Sequence, residues 1–435
     1  MKTAEKRALV PKLRFPEFRD AGEWSSKPMG EVYSYKGNNS LSRDKLNYEN
    51  GLIRNIHYGD IHTKFSTLFD ITKEVVPYIN ESEPQESIKA ENYCIEGDII
   101  FADASEDLDD IGKSIEIVNL NGERVVSGSH TILARQSVAR LVIGFGGYLF
   151  KSHAIRKQIK KESQGTKVLG LSGARLAKIT IPFPSDKTEQ QKIADCLISI
   201  DALITAQTQK LDALMNHKKG LMQMLFPAEG ETMPRLRFPE FRDAGEWEEK
   251  TLGEIGEIVT GKTPSTSDDS LWNGDVQFVT PTDISEEKYQ WKTQRSVANN
   301  ARIKVLPKYS TMFTCIASIG KIALSVKPCI TNQQINTLIP TRDYENEFVY
   351  YSLLNMVPLI KGTQANSTLP IINKTEFSKF TAPVPKIHAE QQKIADCLAS
   401  LDGLITAQSQ KIDALKTHKK GLLQQLFPAI PEVQV

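Results

Sequence analysis

Two long stretches of the chain repeat apolar residues at alternating spacings of four and three. In the first, Ile193, Leu197, Ile200, Ile204, Leu211, Leu214, Leu221 and Leu225 keep that rhythm, with Gln207 and Lys218 occupying two of its positions. In the second, the same places hold Ile394, Leu398, Leu401, Ile405, Ile412, Leu415, Leu422 and Leu426, interrupted by Gln408 and Lys419. A four–three alternation is the seam of a coiled coil, because it keeps one narrow apolar stripe turned toward a partner helix. The spacing predicts a helix over 188–226 and an equivalent near the C-terminus, each ~55–60 Å long at 1.5 Å per residue. Leu-Phe-Pro at 225–227 and 426–428 stops each one, since proline cannot continue a helix. Polar residues on a seam weaken it and fix its register. Each helix has a partner of its own kind one domain away, and a domain–helix–domain–helix chain closes simply if the two helices run antiparallel. Packing of each helix only on its own domain is the alternative, and the stripe is narrow and long for that.

Between the helices the period changes. Short β-rich runs (Cys94–Phe101, Ser114–Val118, Thr131–Leu133, Val276–Thr280, Thr311–Ile316 and Lys321–Val326) alternate with Gly, Asn, Asp and Pro turn signals. Helical patterns over Gly147–Glu162 and Asn346–Lys361 follow. Each α+β segment ends in a Pro-x-Pro element, Pro182/Pro184 and Pro383/Pro385, which cannot continue a helix or a central strand.

The helices are also written out twice. Glu189–Ala228 returns as Glu390–Ala429 with most positions identical, and Pro11–Trp24 returns as Pro234–Trp247 with one change, Lys12 to Arg235. The start copies are 223 residues apart and the end copies 201, so the second insert is 22 residues shorter (223 − 201 = 22). The offset narrows along the inserts. Gly59-Asp60-Ile61 matches Thr282-Asp283-Ile284 at 223, Ile111-Gly112-Lys113 matches Ile319-Gly320-Lys321 at 208, and Pro182-x-Pro184 matches Pro383-x-Pro385 at 201. The inserts therefore read as one fold with diverged surfaces. The domain plan is 1–185, a helix over 186–229, a second domain over 230–385, and a helix over 386–435. The expected fold class is α+β: two homologous domains separated by two long antiparallel helices, with pseudo-two-fold symmetry.

At 435 residues the chain exceeds one core at the usual ~150 residues per domain. No apolar run approaches the ~20 residues that span a membrane, and the charged N-terminus has no apolar h-region, so a cytoplasmic protein with no membrane partner is expected. Five cysteines (Cys94, Cys196, Cys315, Cys329, Cys397) have no CxxC spacing, so neither a disulfide framework nor a zinc site is indicated. The net charge of +1 favours no particular partner.

Catalytic motifs are scarce. Gly256–Thr263 (GEIVTGKT) matches the P-loop letters, but Pro264-Ser-Thr-Ser-Asp-Asp follows where a helix is needed, and no apolar strand precedes it. The seven histidines lack metal-binding spacing. The acidic run Asp103–Asp110 lacks the terminal Glu of a calcium loop and reads as a solvated turn. The chain is expected to bind rather than react, with no catalytic residue and no metal or cofactor of its own. Several polar loops combine Lys or Arg with Asn, Gln, Ser, Thr and aromatic residues, a mixture suited to base edges and phosphates and equally to any solvated loop. The candidate contacts on them are Lys36, Asn38, Asn39, Arg43, Arg54, His57, Tyr58, Lys113 and Lys167 in the first insert. In the second they are Lys262, Thr263, Ser265, Lys321, Gln333, Gln334 and Gln364, the last opening the loop Gln364–Thr368.

Three elements together resemble the specificity subunit of type I restriction–modification enzymes. These are the start repeat LRFPEF-x-x-x-G-x-W, the Pro-x-Pro…Glu-Gln-Gln-Lys-Ile-Ala lead into a long helix, and the Phe-Pro stop. Thr260–Ile284 and Ala317-Ser-Ile-Gly-Lys-Ile are similar to the entry of that family's target recognition domains, while Tyr35–Asn50 of the first insert departs from it. The resemblance covers about 11–430. It implies two target recognition domains, each reading half of a bipartite double-stranded DNA site, with the helices as a ruler for the spacer. It also implies two methyltransferase subunits using S-adenosylmethionine on adenine N6, and two restriction subunits using ATP and Mg. A coiled-coil scaffold for protein partners and a P-loop nucleotide-binding protein are the competing readings.

Overall fold

The computed structural model describes residues 8–85, 88–299, 302–364 and 370–430. The chain folds into two compact units, one running to Ala206 and resuming at Ile412, the other spanning Gln207–Lys411. Each unit thus contains an α+β domain, the beginning of one long helix and the end of the other.

The first unit is built on a five-stranded sheet in the order Tyr33–Lys36, Thr131–Gln136, Ile99–Ala102, Ser114–Asn119, Leu68–Asp70. Its neighbours are antiparallel except the last pair, which is parallel. The second unit repeats this order and sense with Gly256–Thr260, Ile335–Pro340, Thr311–Thr314, Ile322–Ser325 and Tyr289–Gln290. The central strands Ile99–Ala102 and Thr311–Thr314 are buried at every position. Both of their faces are covered, which is why they read as continuous runs rather than as an alternation. A smaller sheet in each unit is begun by a parallel pair, Arg54–Ile56 with Val125–Ser127 and Trp272–Val279 with Cys329–Thr331.

The two domains match at the level of single hydrogen bonds. The Asn39 amide donates to the Ser127 carbonyl (2.7 Å), as the Lys262 amide does to Thr331 (2.9 Å). The Asp103 amide donates to His130 (3.0 Å), as the Cys315 amide does to Gln334 (2.8 Å). Leu171 to Asp103 (2.8 Å) is likewise repeated by Ile372 to Cys315 (2.9 Å). Equivalent residues are 223 apart at Asn39/Lys262, 212 at Asp103/Cys315, 204 at His130/Gln334 and 201 at Leu171/Ile372. The narrowing offset read from sequence is therefore a series of loop deletions within one fold.

Local departures have local causes. The run Cys94–Phe101 becomes a strand only at Ile99, because Gly97 turns left-handed (φ 90°) and Asp98 ties back to the Ile95 amide. The helix expected over Gly147–Glu162 is two helices, Phe145–Leu149 and His153–Glu162, parted at Ser152, whose backbone is extended. Asn346–Gly362 stays helical through Pro358. Pro182 and Pro383 lie in the strands Thr180–Phe183 and Thr381–Val384, each in a two-stranded sheet, where one side needs no N–H donor.

The long helices span Lys187–Leu225 and His388–Gln425. At their outer ends Ile193, Leu197, Ile394 and Leu398 are buried in the domain cores. Along the middle, Ile200, Ile204, Leu211, Leu214, Leu221, Leu401, Ile405, Leu415 and Leu422 are half-buried and Ile412 is buried, while most of the positions between them are exposed. In the second unit Gln408 donates to the Gln207 side chain (3.0 Å) and carbonyl (2.8 Å), and Lys218 pairs with Asp402 (2.6 Å). In the first unit Lys419 pairs with Asp201. Each aspartate also accepts a tyrosine hydroxyl from its own domain, Tyr351 to Asp402 and Tyr148 to Asp201. The lysine interruptions of the seam, Lys218 and Lys419, are thus the points where helix, helix and domain meet, while the Gln207–Gln408 pair joins helix to helix alone.

The start repeat is a clamp on the helix entry. In the first unit, Arg14 donates through Nε and Nη2 to the two Glu189 oxygens (2.7 Å each), and Trp24 Nε1 donates to the same carboxylate (3.1 Å). In the second, Arg237 does the same to Glu390 (2.7 and 2.8 Å) with Trp247 (3.3 Å). Each arginine also donates to a glycine carbonyl, Gly22 or Gly245 (2.6 Å each), and both glycines are left-handed at φ 74°. Only a residue without a Cβ takes that turn freely, which accounts for the Gly of the repeat. The Phe of each Phe-Pro stop closes the clamp: Phe427 packs on Trp24 and Phe145, and Phe226 on Trp247 and Phe348.

Candidate nucleic-acid interface

The shared backbone brings three loops together at one end of each five-stranded sheet. They follow the strand Arg54–Ile56 or Trp272–Val279, join the small sheet to the long strand (Gly128–His130 or Asn332–Gln334), and leave the central strand Ile99–Ala102 or Thr311–Thr314. In the first unit the Arg54–Ile56 strand hands over to a short helix, Tyr58–Thr63. His57 caps it by accepting the Gly59 amide on Nδ1 (3.1 Å), which leaves the proton on Nε2. Burial, and secondarily Arg43, lowers the His57 pKa, so the ring is neutral. Tyr58 is ringed by His57, His62 and His130 at centroid distances of 4.7, 5.9 and 5.2 Å.

Six of the sequence candidates gather here. Asn38 donates to the Thr131 carbonyl (2.9 Å), and Asn39 is fixed by its amide bond to Ser127. Arg43 reaches Asp60 (2.9 Å) and the Tyr48 hydroxyl (3.0 Å), with His57 Nδ1 at 3.5 Å. Lys113 donates to the His62 carbonyl (3.0 Å) and pairs with Asp110 (2.8 Å), joining His57 and Tyr58. The others differ. Lys36 pairs with Glu91 (3.7 Å), and Lys167 is exposed with no ion pair among the described residues. Arg54 is engaged by the chain itself: it pairs with Glu123, donates to the Val76 carbonyl (2.9 Å) and stacks on Tyr78 (4.2 Å), which makes it a structural residue. His62 and His130 were not among the sequence candidates and Asp103 was read only as part of the acidic run, because they reach the cluster from separate elements with no motif between them.

The second unit offers different groups on the same frame. Thr263 donates to Oε1 of the exposed Gln333 (2.6 Å), and Gln334 Oε1 accepts from Asn332 (3.0 Å). Lys262 is exposed beyond its backbone bond to Thr331. The Ser265 hydroxyl meets Ser267 (2.9 Å) and its carbonyl holds Trp272 Nε1 (2.9 Å). Lys321 donates to the Pro281 carbonyl (3.1 Å) and, with Lys361 and Gln364, lines a cavity of about 450 Å³. The rest of the loop Gln364–Thr368 lies outside the described residues. Gly256–Thr260 is a strand paired with Ile335–Pro340, and no helix starts at Lys262-Thr263, so the P-loop letters do not form a phosphate cradle. Within the acidic run Asp109 pairs with Lys160 and Asp110 with Lys113, and no metal-holding cluster occurs among the described residues.

A family model described as the type I restriction modification DNA specificity domain matches the chain twice, over 21–216 and 244–417. The chain belongs to this family. Among its relatives, the type I restriction enzyme MjaIX specificity subunit of Methanocaldococcus jannaschii is 30% identical over 190 residues, covering 42% of this chain and 44% of that protein. The HindI specificity subunit of Haemophilus influenzae is 33% identical over 158 residues, 34% of each chain. These matches thus span less than half the length of either relative. The crystal structure of the type I restriction–modification S subunit from M. genitalium shares the fold at a TM-score of 0.57 and 17% identity, over 97% of this chain and all of that one. No helix among the described residues is long and apolar enough to cross a membrane.

Proposed function

We propose that this chain is the DNA-recognition subunit of a type I restriction–modification complex. Residues 1–185 and 230–385 are its two target recognition domains, each reading half of a bipartite site. The helices over 186–229 and 386–435 form an antiparallel coiled coil that relates the domains by an approximate two-fold and sets the spacer. The observation that carries this reading is the pairing of a repeated sheet order and repeated backbone hydrogen bonds with different loop-end side chains: Asn39/Lys262, Asp103/Cys315, His130/Gln334. A frame repeated that closely meets the same partner twice, and ends that differ meet different bases. The antiparallel arrangement is supported by numbering within the second unit, where Gln207 meets Gln408 and Lys218, further along, meets the earlier Asp402. Methyl transfer to adenine N6 belongs to two methyltransferase subunits carrying S-adenosylmethionine, which extract the base from the stack. Cleavage belongs to two restriction subunits using ATP and Mg.

Coexpression with the cognate methyltransferase subunit, followed by mapping of adenine methylation across a host genome, tests the reading. A split motif with a fixed spacer is expected. Exchanging 30–185 for the corresponding domain of another family member then changes one half only. Absence of a methylated split motif, or a change in both halves, overturns the proposal. Salt-sensitive DNA binding by the assembled complex separates it from a protein scaffold.

A further inference from the structure

The loop end of the first unit contains one side chain that the chain aims but does not use. His130 sits in the left-handed region (φ 54°), a conformation uncommon for a residue with a Cβ and kept only where the surroundings enforce it. Its ring is held on two sides, by the Tyr58 ring edge-to-face at 5.2 Å and by Asp103, whose carboxylate lies 3.3 Å from Nδ1. The backbone adds a third tie, the Asp103 amide donating to the His130 carbonyl (3.0 Å). Nε2 has no partner among the described residues, and the side chain is 59% exposed. Asn38, Arg43 and His57 around it already spend polar atoms on the chain.

The second unit keeps the backbone tie and replaces every side chain in the arrangement. His130 becomes Gln334, Asp103 becomes Cys315 and Tyr58 becomes Pro281, while the Cys315 amide still donates to Gln334 (2.8 Å). The shared hydrogen bond persists while the side chains and the local turn change, His130 being left-handed and Gln334 not, as two domains facing different half-sites require. Resting on the DNA-recognition reading above, we infer that His130 is a specificity-determining residue of the first unit, oriented by Asp103 and Tyr58 to accept a hydrogen bond on Nε2 from a base amino group in the major groove. With Nδ1–H donated to Asp103, Nε2 is a lone-pair acceptor. Adenine N6 and cytosine N4 are the donors the major groove offers, whereas guanine and thymine present acceptors there. Asp103 and Tyr58 act through His130 and are positioning residues.

The test uses the assembled methyltransferase complex, with His130→Ala and His130→Asn, the latter tolerant of a left-handed turn and so a safeguard for the fold. Methylome mapping is expected to show relaxation at a single base pair of one half-site, with the other half and the spacer unchanged. Oligonucleotides carrying purine for adenine or 2-pyrimidinone for cytosine at that pair isolate the contact. Loss of the amino group is expected to slow the wild-type complex about tenfold and to leave His130→Ala unaffected, the scale of one lost base contact. An unchanged motif in both variants, relaxation in the half assigned to the second unit, or a uniform loss at all sites would overturn the assignment. A wild-type complex without a split motif would instead overturn the recognition reading on which it rests.

Discussion

Glu390→Ala is the most direct test of the clamp that holds the start repeat to the helix entry. The Glu390 side chain is 1% exposed and that of Arg237 6%, so the pair is closed to water. Removing the carboxylate leaves the guanidinium with the Gly245 carbonyl and the Met233 sulfur, and leaves the Trp247 N–H without its acceptor. Breaking a buried ion pair from one side costs about 3–5 kcal/mol, because a charge stays buried without its partner. That corresponds to roughly a hundred- to several-thousand-fold in an opening equilibrium. Two units make global unfolding a poor readout, so the measurement is hydrogen exchange in the segment 234–247, where the loss appears as faster opening. The double variant Arg237→Met/Glu390→Met should recover most of the loss, since apolar replacement of a whole buried pair is often neutral. Glu189→Ala should accelerate exchange in 11–24 comparably, because the first clamp has the same geometry. An effect within tenfold, the value of a surface pair at ~0–1 kcal/mol, would refute the buried-clamp account.

Other expectations follow from particular side chains. Burial pushes the Glu116 carboxyl up to about 8, opposed by the Gly147 and Gly144 amides, while an unfolded glutamate titrates near ~4.3. The folded state therefore holds the extra proton between those values and stability falls as pH rises through them. Glu116→Gln should flatten that decline and raise the melting temperature at pH 8 more than at pH 5; an equal shift at both would count against it. Replacing Gln207 and Gln408 together by Leu should stabilise the helix pair by about 1 kcal/mol while loosening its register, read as a spread of spacer lengths in the methylome. Lys262→Ala should leave nucleotide binding unchanged and lower the salt dependence of DNA binding by about one phosphate contact; loss of ATP binding would revive the P-loop reading.

Different parts of the molecule were unequally legible in its sequence. Both seams were readable because burial on a helix is periodic, and the half-buried positions from Ile200 to Leu221 and from Leu401 to Leu422 follow that period. The start repeat was visible as a repeat, but its role was not: Arg14 and Glu189 are 175 residues apart and look like ordinary surface charges. The break at Ser152 was hidden because apolar spacing runs through it. Arg54 and Arg43 both sit in polar, aromatic-flanked segments, yet only pairing with Glu123 and Tyr78 shows Arg54 to be held inside. The loop end of the first unit is the least legible part, since Tyr58, Asp103 and His130 are gathered by strand order alone. The same strand order decided the P-loop letters, by running a paired strand through Gly256–Thr260.

The Leu13 amide donates to the Gln425 carbonyl (2.9 Å), and the Leu236 amide donates to the Met224 carbonyl (2.9 Å). These are one joint built twice. At Leu236 the chain runs directly through 225–235 from the helix end to the start repeat, whereas at Leu13 the two sides lie more than four hundred residues apart in sequence. Equal geometry with and without a short covalent link means that the peptide between Phe226 and Pro234 is a tether rather than a brace. It raises local concentration and contributes little shape. A polypeptide nicked there would keep its joint, and natural variation in that tether is free to accumulate so long as Phe226, Leu236 and Trp247 remain.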